Sequence, residues 1–284
     1  MGGTTKFTAE ESAEAFKYMA MAGWKTDDML GGIEGILNLA AASGEDLATT
    51  SDIVTDALTA FGMKASEAGH FSDVLAQAAS NANTDVSMMG ESFKYVAPVA
   101  GAMKYKVEDV SLALGLMANS SVKGSMAGTA LKTSLANMAA PTDKMTEAMD
   151  KYGISLVDSY GNMKTLKGVL DNLRSSLGGL SEAEQTAAAS TIFGKEAMSG
   201  MLAIVNASKE EYDKLSEAVA NADGTSKRMS EIQSDNLAGD ITRFQSAVDK
   251  LKVSLGGRLS NSWLRDIVQW LTKQVPNMEQ VFQD

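Results

Sequence analysis

The stretch Ala118–Pro141, A-N-S-S-V-K-G-S-M-A-G-T-A-L-K-T-S-L-A-N-M-A-A-P, decides the fold class. Its second half reads as a helix with a thin face, because Gly124, Ala127, Gly128 and Ala130 put almost no side chain between its backbone and a neighbour. Leu131, Leu135 and Met138 continue that face at helical spacing. Pro141 ends the helix, since proline brings no amide hydrogen and crowds the preceding turn. Such a face is made for packing closely against another helix. Gly124, Ala127, Gly128, Leu131 and Leu135 are the candidate contact positions.

The composition extends that reading to the whole chain. It is rich in alanine, with 18 methionines and 25 glycines, but only 3 prolines and 6% aromatics, a mixture that favours helices packed through small residues. The 284 residues are enough for one large or two small domains. There are no cysteines, which excludes disulfides and thiolate metal sites. With 25 basic and 36 acidic residues the formal charge is −11, the wrong sign for holding phosphates, so no specific nucleic-acid binding is expected. No apolar run reaches the roughly 18 residues of a membrane span, and the N-terminal Met1–Lys6 lacks the apolar core of a signal peptide.

Upstream of the quoted stretch, Thr8–Glu11 is a capping-box pattern that starts a helix to about Ala22. Met29, Ile33, Ile36, Leu37 and Ala40 line the next helix, where Gly31 and Gly35 lie one turn apart and predict close packing. Ser43–Asp46 caps a helix closed by Gly62, and Phe71, Val74, Leu75 and Ala78 repeat the pattern. Asn81–Asp85 opens a helix bearing Met88, Met89, Phe93 and Val96, which Pro98 should kink or end. Ala22–Gly62 and Ala100–Ala140 share the order turn, helix, small-residue break, helix, the outline of a duplication.

Downstream, a short helix reaches Lys151. Gly153–Val157 and Asn162–Lys164 then flank Asp158-Ser159-Tyr160-Gly161, which predicts one small β-hairpin near 154–164. Leu166, Val169, Leu170, Leu173 and Leu177 restore a helix, and Ser181–Glu184 and Ser208–Glu211 are further capping boxes. Two or three helices are expected between Glu182 and Ala222. Beyond Gly224, Leu237, Ile241, Phe244, Val248, Leu251 and Leu255 step by four and three residues, the seam of a coiled coil or the face of a long edge helix. Trp263, Ile267, Trp270 and Leu271 form a last apolar stripe, which needs a partner or more chain to cover it. Leu237, Ile241, Phe244, Val248, Leu251, Trp263 and Trp270 are the proposed partner or rod face. The expected architecture is all-α, with bundles of short amphipathic helices, the hairpin, and a longer C-terminal helix. It divides into a small-residue core at 8–141, a hairpin-plus-helix module at 142–224 and an extended region at 225–284.

The residues assemble no catalytic, cofactor or metal set. His70 is the single histidine, and no G-x-S-x-G, P-loop or H-E-x-x-H occurs. The acidic pairs Asp27-Asp28 and Glu210-Glu211 fall at helix starts, where they complement the helix dipole. The reading is therefore a non-enzyme without cofactors.

K-G-S-M-A-G-T-A-L-K-T-S-L-A-N-M-A-A-P (Lys123–Pro141) resembles the signature segment of the tail tape-measure proteins of long-tailed phages, of the TP901 type. Further blocks follow in the family's order: Met19–Leu30, Leu39–Ala48, Asp52–Gly62 and Ala79–Val86 before it, then Tyr152–Met163 and Ile192–Ala197 after it. The resemblance covers roughly Thr8 to Leu255. It implies a structural protein of a phage or prophage tail that lies in the tail-tube lumen, sets tail length, supports tube assembly and leaves ahead of the genome. It further implies synthesis in the host cytoplasm and self-association in the lumen. The implied partners are the tail tube protein, tail assembly chaperones and tail-tip or baseplate proteins. The alternatives are a secreted helical adhesin or translocation domain, or a cell-wall-degrading module.

Overall fold

Short corners between amphipathic segments make this chain fold back on itself again and again. The computed structural model describes residues 7–235 and residue 241. Its described residues hold thirteen α-helices. These are α1 Ala9–Met21, α2 Thr26–Ser43, α3 Leu47–Phe61, α4 Ala68–Asn81, α5 Val86–Ala102, α6 Val107–Asn119 and α7 Gly124–Ala139, followed by α8 Asp143–Tyr152, α9 Leu166–Leu177, α10 Glu182–Phe193, α11 Met198–Asn206, α12 Lys209–Ala220 and α13 Thr225–Ser234. A 3-10 turn, Ala65–Glu67, precedes α4. Residues 10–236 form one compact unit. No helix among the described residues is long and apolar enough to cross a membrane.

Five corners share one device. Gly23, Gly62, Lys104, Ser121 and Gly153 each take the left-handed backbone conformation after a helix. The next residue's N–H then donates to the carbonyl five positions back: Trp24 to Met19, Met63 to Leu58, Tyr105 to Ala100, Val122 to Met117 and Ile154 to Met149, all at 2.9–3.0 Å. This is the Schellman closure, which satisfies a carbonyl that the helix end would otherwise orphan. In four of the five a lysine follows and opens the next helix: Lys25, Lys64, Lys106 and Lys123. An ammonium cannot accept a hydrogen bond. At Lys25 and Lys64 the carboxylates of Asp28 and Glu67 instead take the lysine's own N–H, at 3.2 and 2.7 Å.

Only glycine holds a positive φ without steric cost. Ser121 sits at φ +66° and Lys104 at φ +57°. Ser121→Gly is expected to raise folding stability by about 0.5 kcal/mol, relief of left-handed strain being partly offset by the greater freedom of glycine in the unfolded chain. Urea unfolding at constant m-value checks this; a loss of stability would show that the serine side chain contributes more than the strain.

The core is built where the helical faces meet. Phe71 of α4 stands edge-on to Phe93 of α5 with ring centres 5.3 Å apart, and Phe61 of α3 approaches Phe93 at 6.0 Å. α5 lies between α3 and α7, while α2 packs on α4 and α13. α6 contacts α4, α9, α11 and α12, and α10 and α11 reach α7, so the later helices close over the earlier ones. Leu166, Val169, Leu170, Leu173 and Leu177 give α9 a fully buried face, as their spacing predicts. Tyr212 joins α12 to α9, its hydroxyl donating to Asp171 at 2.5 Å beneath the Arg174 guanidinium, 4.4 Å from the ring centre.

The helical class is as expected, but the β-hairpin near 154–164 does not form. Val157 and Met163 meet in a single antiparallel bridge, and the described residues hold no strand. Main-chain pairing stops at Asp158 N–H to the Asn162 carbonyl (2.9 Å) and Lys164 N–H to the Leu156 carbonyl (2.8 Å), and within that turn the Asp158 carboxylate accepts the N–H groups of Tyr160 (2.8 Å) and Asn162 (2.9 Å). The arms are also too short, since Gly153 is still the corner of α8 and Thr165 already caps α9. A lone two-stranded pair of that length has little stability of its own. Of the two outcomes expected at Pro98, a kink or an end, the end does not occur, since α5 runs on to Ala102. The longer C-terminal helix falls outside the described residues.

Candidate functional site

Among the described residues no group of three or more His, Cys, Asp or Glu is placed to hold a metal. What the sequence concentrates instead is backbone-to-backbone helix packing. α7 lies on α5 through Gly128: a Cβ added there would stand 2.2 Å from the Ser92 carbonyl oxygen and 2.9 Å from Tyr95 Cβ. Ser92 reinforces the crossing by donating its hydroxyl to the Gly124 carbonyl at 2.8 Å. Ala127, Leu131 and Leu135 are buried on the same helix.

On α2, Gly35 faces the start of α4, with the Gly69 backbone 2.6 Å from where its Cβ would be. Gly31 is exposed and has nothing within 4 Å; its neighbour Gly32 makes the second approach, against Trp24 and the Ala65 carbonyl. Two further crossings are not evident from the sequence. Gly101 of α5 lies against the Ala60 carbonyl, whose oxygen is 2.1 Å from where a Cβ would stand, and Gly90 lies against Ile53. Two glycines three turns apart on α5, both facing α3, are the signal that could have found them. Of the proposed partner face, Ile241 is helical and half exposed (51%). Leu237, Phe244, Val248, Leu251, Trp263 and Trp270 lie outside the described residues.

A polar cluster on α4 holds the entry to α13. The buried Asp73 carboxylate accepts from Gly224 N–H (2.6 Å), Ser226 N–H (2.8 Å) and Ser226 Oγ (2.5 Å), capping α13 from across the fold. One turn earlier, His70 places Nε2 3.0 Å from Glu108 Oε1 of α6 and Nδ1 3.1 Å from Asp223 Oδ1 before α13. A carboxylate at each ring nitrogen calls for a donor at each, which only the imidazolium provides. Partial burial lowers the His70 pKa, but the Asp223 hydrogen bond and the Glu108 charge and hydrogen bond together outweigh it and raise the value above the ordinary 6.5.

A folded pKa above the unfolded one means stability that is complete below the unfolded value and fades as pH climbs through the folded one. The stability lost in His70→Gln should therefore be larger at about pH 6 than at about pH 9, by less than ~1 kcal/mol because the cluster is partly solvated. Urea unfolding of both chains at the two pH values checks it. An equal difference at both would mean that His70 acts only by packing.

Comparison with known proteins adds a family. The profile of the phage-related minor tail protein family matches residues 1–194. The chain is 38% identical over 253 residues to the tape measure protein of Pneumococcus phage Dp-1, covering 89% of this chain and 22% of that protein. It is 29% identical over 282 residues to the probable tape measure protein of Escherichia phage P2, covering 98% of this chain and 34% of that one. The chain thus spans about a fifth to a third of the length of these relatives. These matches bear on tail proteins at large and not on the TP901 type. No solved structure matches.

Proposed function

Because the chain belongs to the phage-related minor tail protein family, we propose that it is a compact helical module of a tail tape-measure protein. The observation that carries the proposal is the likeness to two tape measure proteins along nearly the whole chain. In this reading the protein is a structural component of the virion tail, without catalytic chemistry of its own. It lies in the tube lumen, after assembly in the host cytoplasm with the tail tube protein, assembly chaperones and tip or baseplate proteins. The net charge of −11 supports a lumen occupant past which DNA moves without adhering. No observation favours an adhesin, a translocation domain or a wall-degrading module.

α13 belongs to the compact unit, so the proposed rod begins beyond Asn236. There the four-and-three spacing from Leu237 to Leu255 supports an extended helix. In a phage carrying the parent gene, an in-frame deletion of residues 237–257 removes three heptads. Electron microscopy should then show every tail shortened by about 32 Å, at 1.5 Å per residue. Disruption of the whole gene should leave no tails of defined length. Normal tails after that disruption would overturn the tape-measure reading, whereas unchanged length after the short deletion would remove only the rod from it.

A further inference from the structure

Three lysines converge on one groove of this acidic molecule. The α5–α6 corner contributes Lys104 and Lys106, and the segment before α9 contributes Lys164, around a volume of about 640 Å³. Apolar groups of Ala102, Met103, Ala139 and Met163 line it between them. Among the described residues none of the three ammonium groups has an ion-pair partner. Asp109 is the acid among the lining residues, and its carboxylate already accepts the Lys167 N–H at 3.0 Å. Burial pushes the Asp109 pKa up, against the Lys167 N–H bond and the charges of Lys106 and Lys167, which pull it down.

Two features of the groove point to something that occupies it. Tyr105 lines it and is 5% exposed, yet its hydroxyl is buried without a hydrogen-bond partner among the described residues. Buried hydroxyls are rarely left so, because the lost hydration is not replaced. Burial also raises the Tyr105 pKa, which keeps the group a donor. Lys104, meanwhile, holds the left-handed corner position that glycine holds at Gly23, Gly62 and Gly153. Backbone strain retained under a charged side chain at a groove rim is a mark of use.

We propose that this groove binds an acidic, partly apolar peptide segment of a partner protein. Carboxylates of the segment meet Lys104, Lys106 and Lys164, one acceptor takes the Tyr105 hydroxyl, and apolar side chains cover Met103 and Met163. The apolar lining favours a protein over a nucleic acid, whose phosphates would gain nothing from it. The inference stands independently of the tail reading, since it rests on the groove alone.

The test uses the full chain and two fluorescein-labelled peptides, one alternating Glu-Glu with Leu-Leu and one with every Glu replaced by Lys, read by fluorescence anisotropy. The acidic peptide should bind and the basic one should not, with affinity falling as salt rises. The triple variant K104E/K106E/K164E should weaken binding by about tenfold or more. Tyr105→Phe should weaken it several-fold. Lys104→Gly should bind more weakly while unfolding at higher urea, a separation that a purely structural lysine would not give. Circular dichroism confirms that each variant is folded. No binding of the acidic peptide, equal binding of both peptides, or an unaffected triple variant would overturn the proposal. So would a duplex oligonucleotide that displaces the peptide at equal concentration, or a dimer in sedimentation that the triple variant abolishes, which would make the occupant a second copy.

Discussion

Gly128→Val should cost about 3–5 kcal/mol, enough to unfold a marginal chain. The new Cβ would start 2.2 Å from the Ser92 carbonyl oxygen and 3.0 Å from its carbon, atoms of the α5 backbone that cannot rotate away. α7 would have to lift off α5, breaking the Ser92–Gly124 hydrogen bond and uncovering Ala127, Leu131 and Leu135. Gly101→Ala meets the Ala60 carbonyl oxygen at 2.1 Å and should cost a comparable amount at the α3–α5 crossing. Gly31→Ala is the control. It adds the same methyl group on a helix with nothing within 4 Å, so helix propensity should stabilise the protein by ~0.5–1 kcal/mol. Urea midpoints of the three variants decide the matter. A tolerated valine at Gly128 would mean that the crossing relaxes, and that the small-residue face is not what fixes it.

Asp73→Ala should free α13 while leaving the rest of the fold in place. The carboxylate is the acceptor for two backbone N–H groups and one hydroxyl at the start of α13. Its removal leaves buried donors without partners, a loss of about 2–4 kcal/mol. Hydrogen exchange should quicken over residues 224–234 and stay slow over α5 and α7. Asp73→Asn keeps an acceptor oxygen and should do less harm. If both variants exchange like the parent chain, packing of α13 on α2 and α4 is sufficient without the cap.

The helices were legible because they are written in local spacing: apolar residues at three and four, a cap before and a glycine after. Which glycine touches was not always legible. Gly31 and Gly32 differ by about 100° of rotation around the helix axis, and only the position of Trp24 and Ala65 selects Gly32. The 154–164 segment misled because Ile154, Leu156 and Val157 read like a strand, while the ends of α8 and α9 leave room for only one bridge. The His70–Asp73 cluster could not be read at all, since a lone histidine has no spacing, and Asp223, which meets His70, and Ser226, which meets Asp73, follow about 150 residues later. The repeated trio of a left-handed residue, an apolar residue and a lysine was there to be found in A-G-W-K, F-G-M-K and M-K-Y-K. It is obscured where lysine or serine replaces the glycine.

Those corners carry a consequence for how the chain recovers its shape. Each closes a loop of six residues or fewer and asks nothing of the rest of the molecule. Loops of that size form within nanoseconds to microseconds, whereas contacts across the sequence wait on a slower search. A chain pulled straight through a narrow passage would regain its bends almost at once on the far side, each in the order in which it emerged. The seat of α13 would come last, because its anchor at Asp73 has to be met by residues that leave the passage long after it.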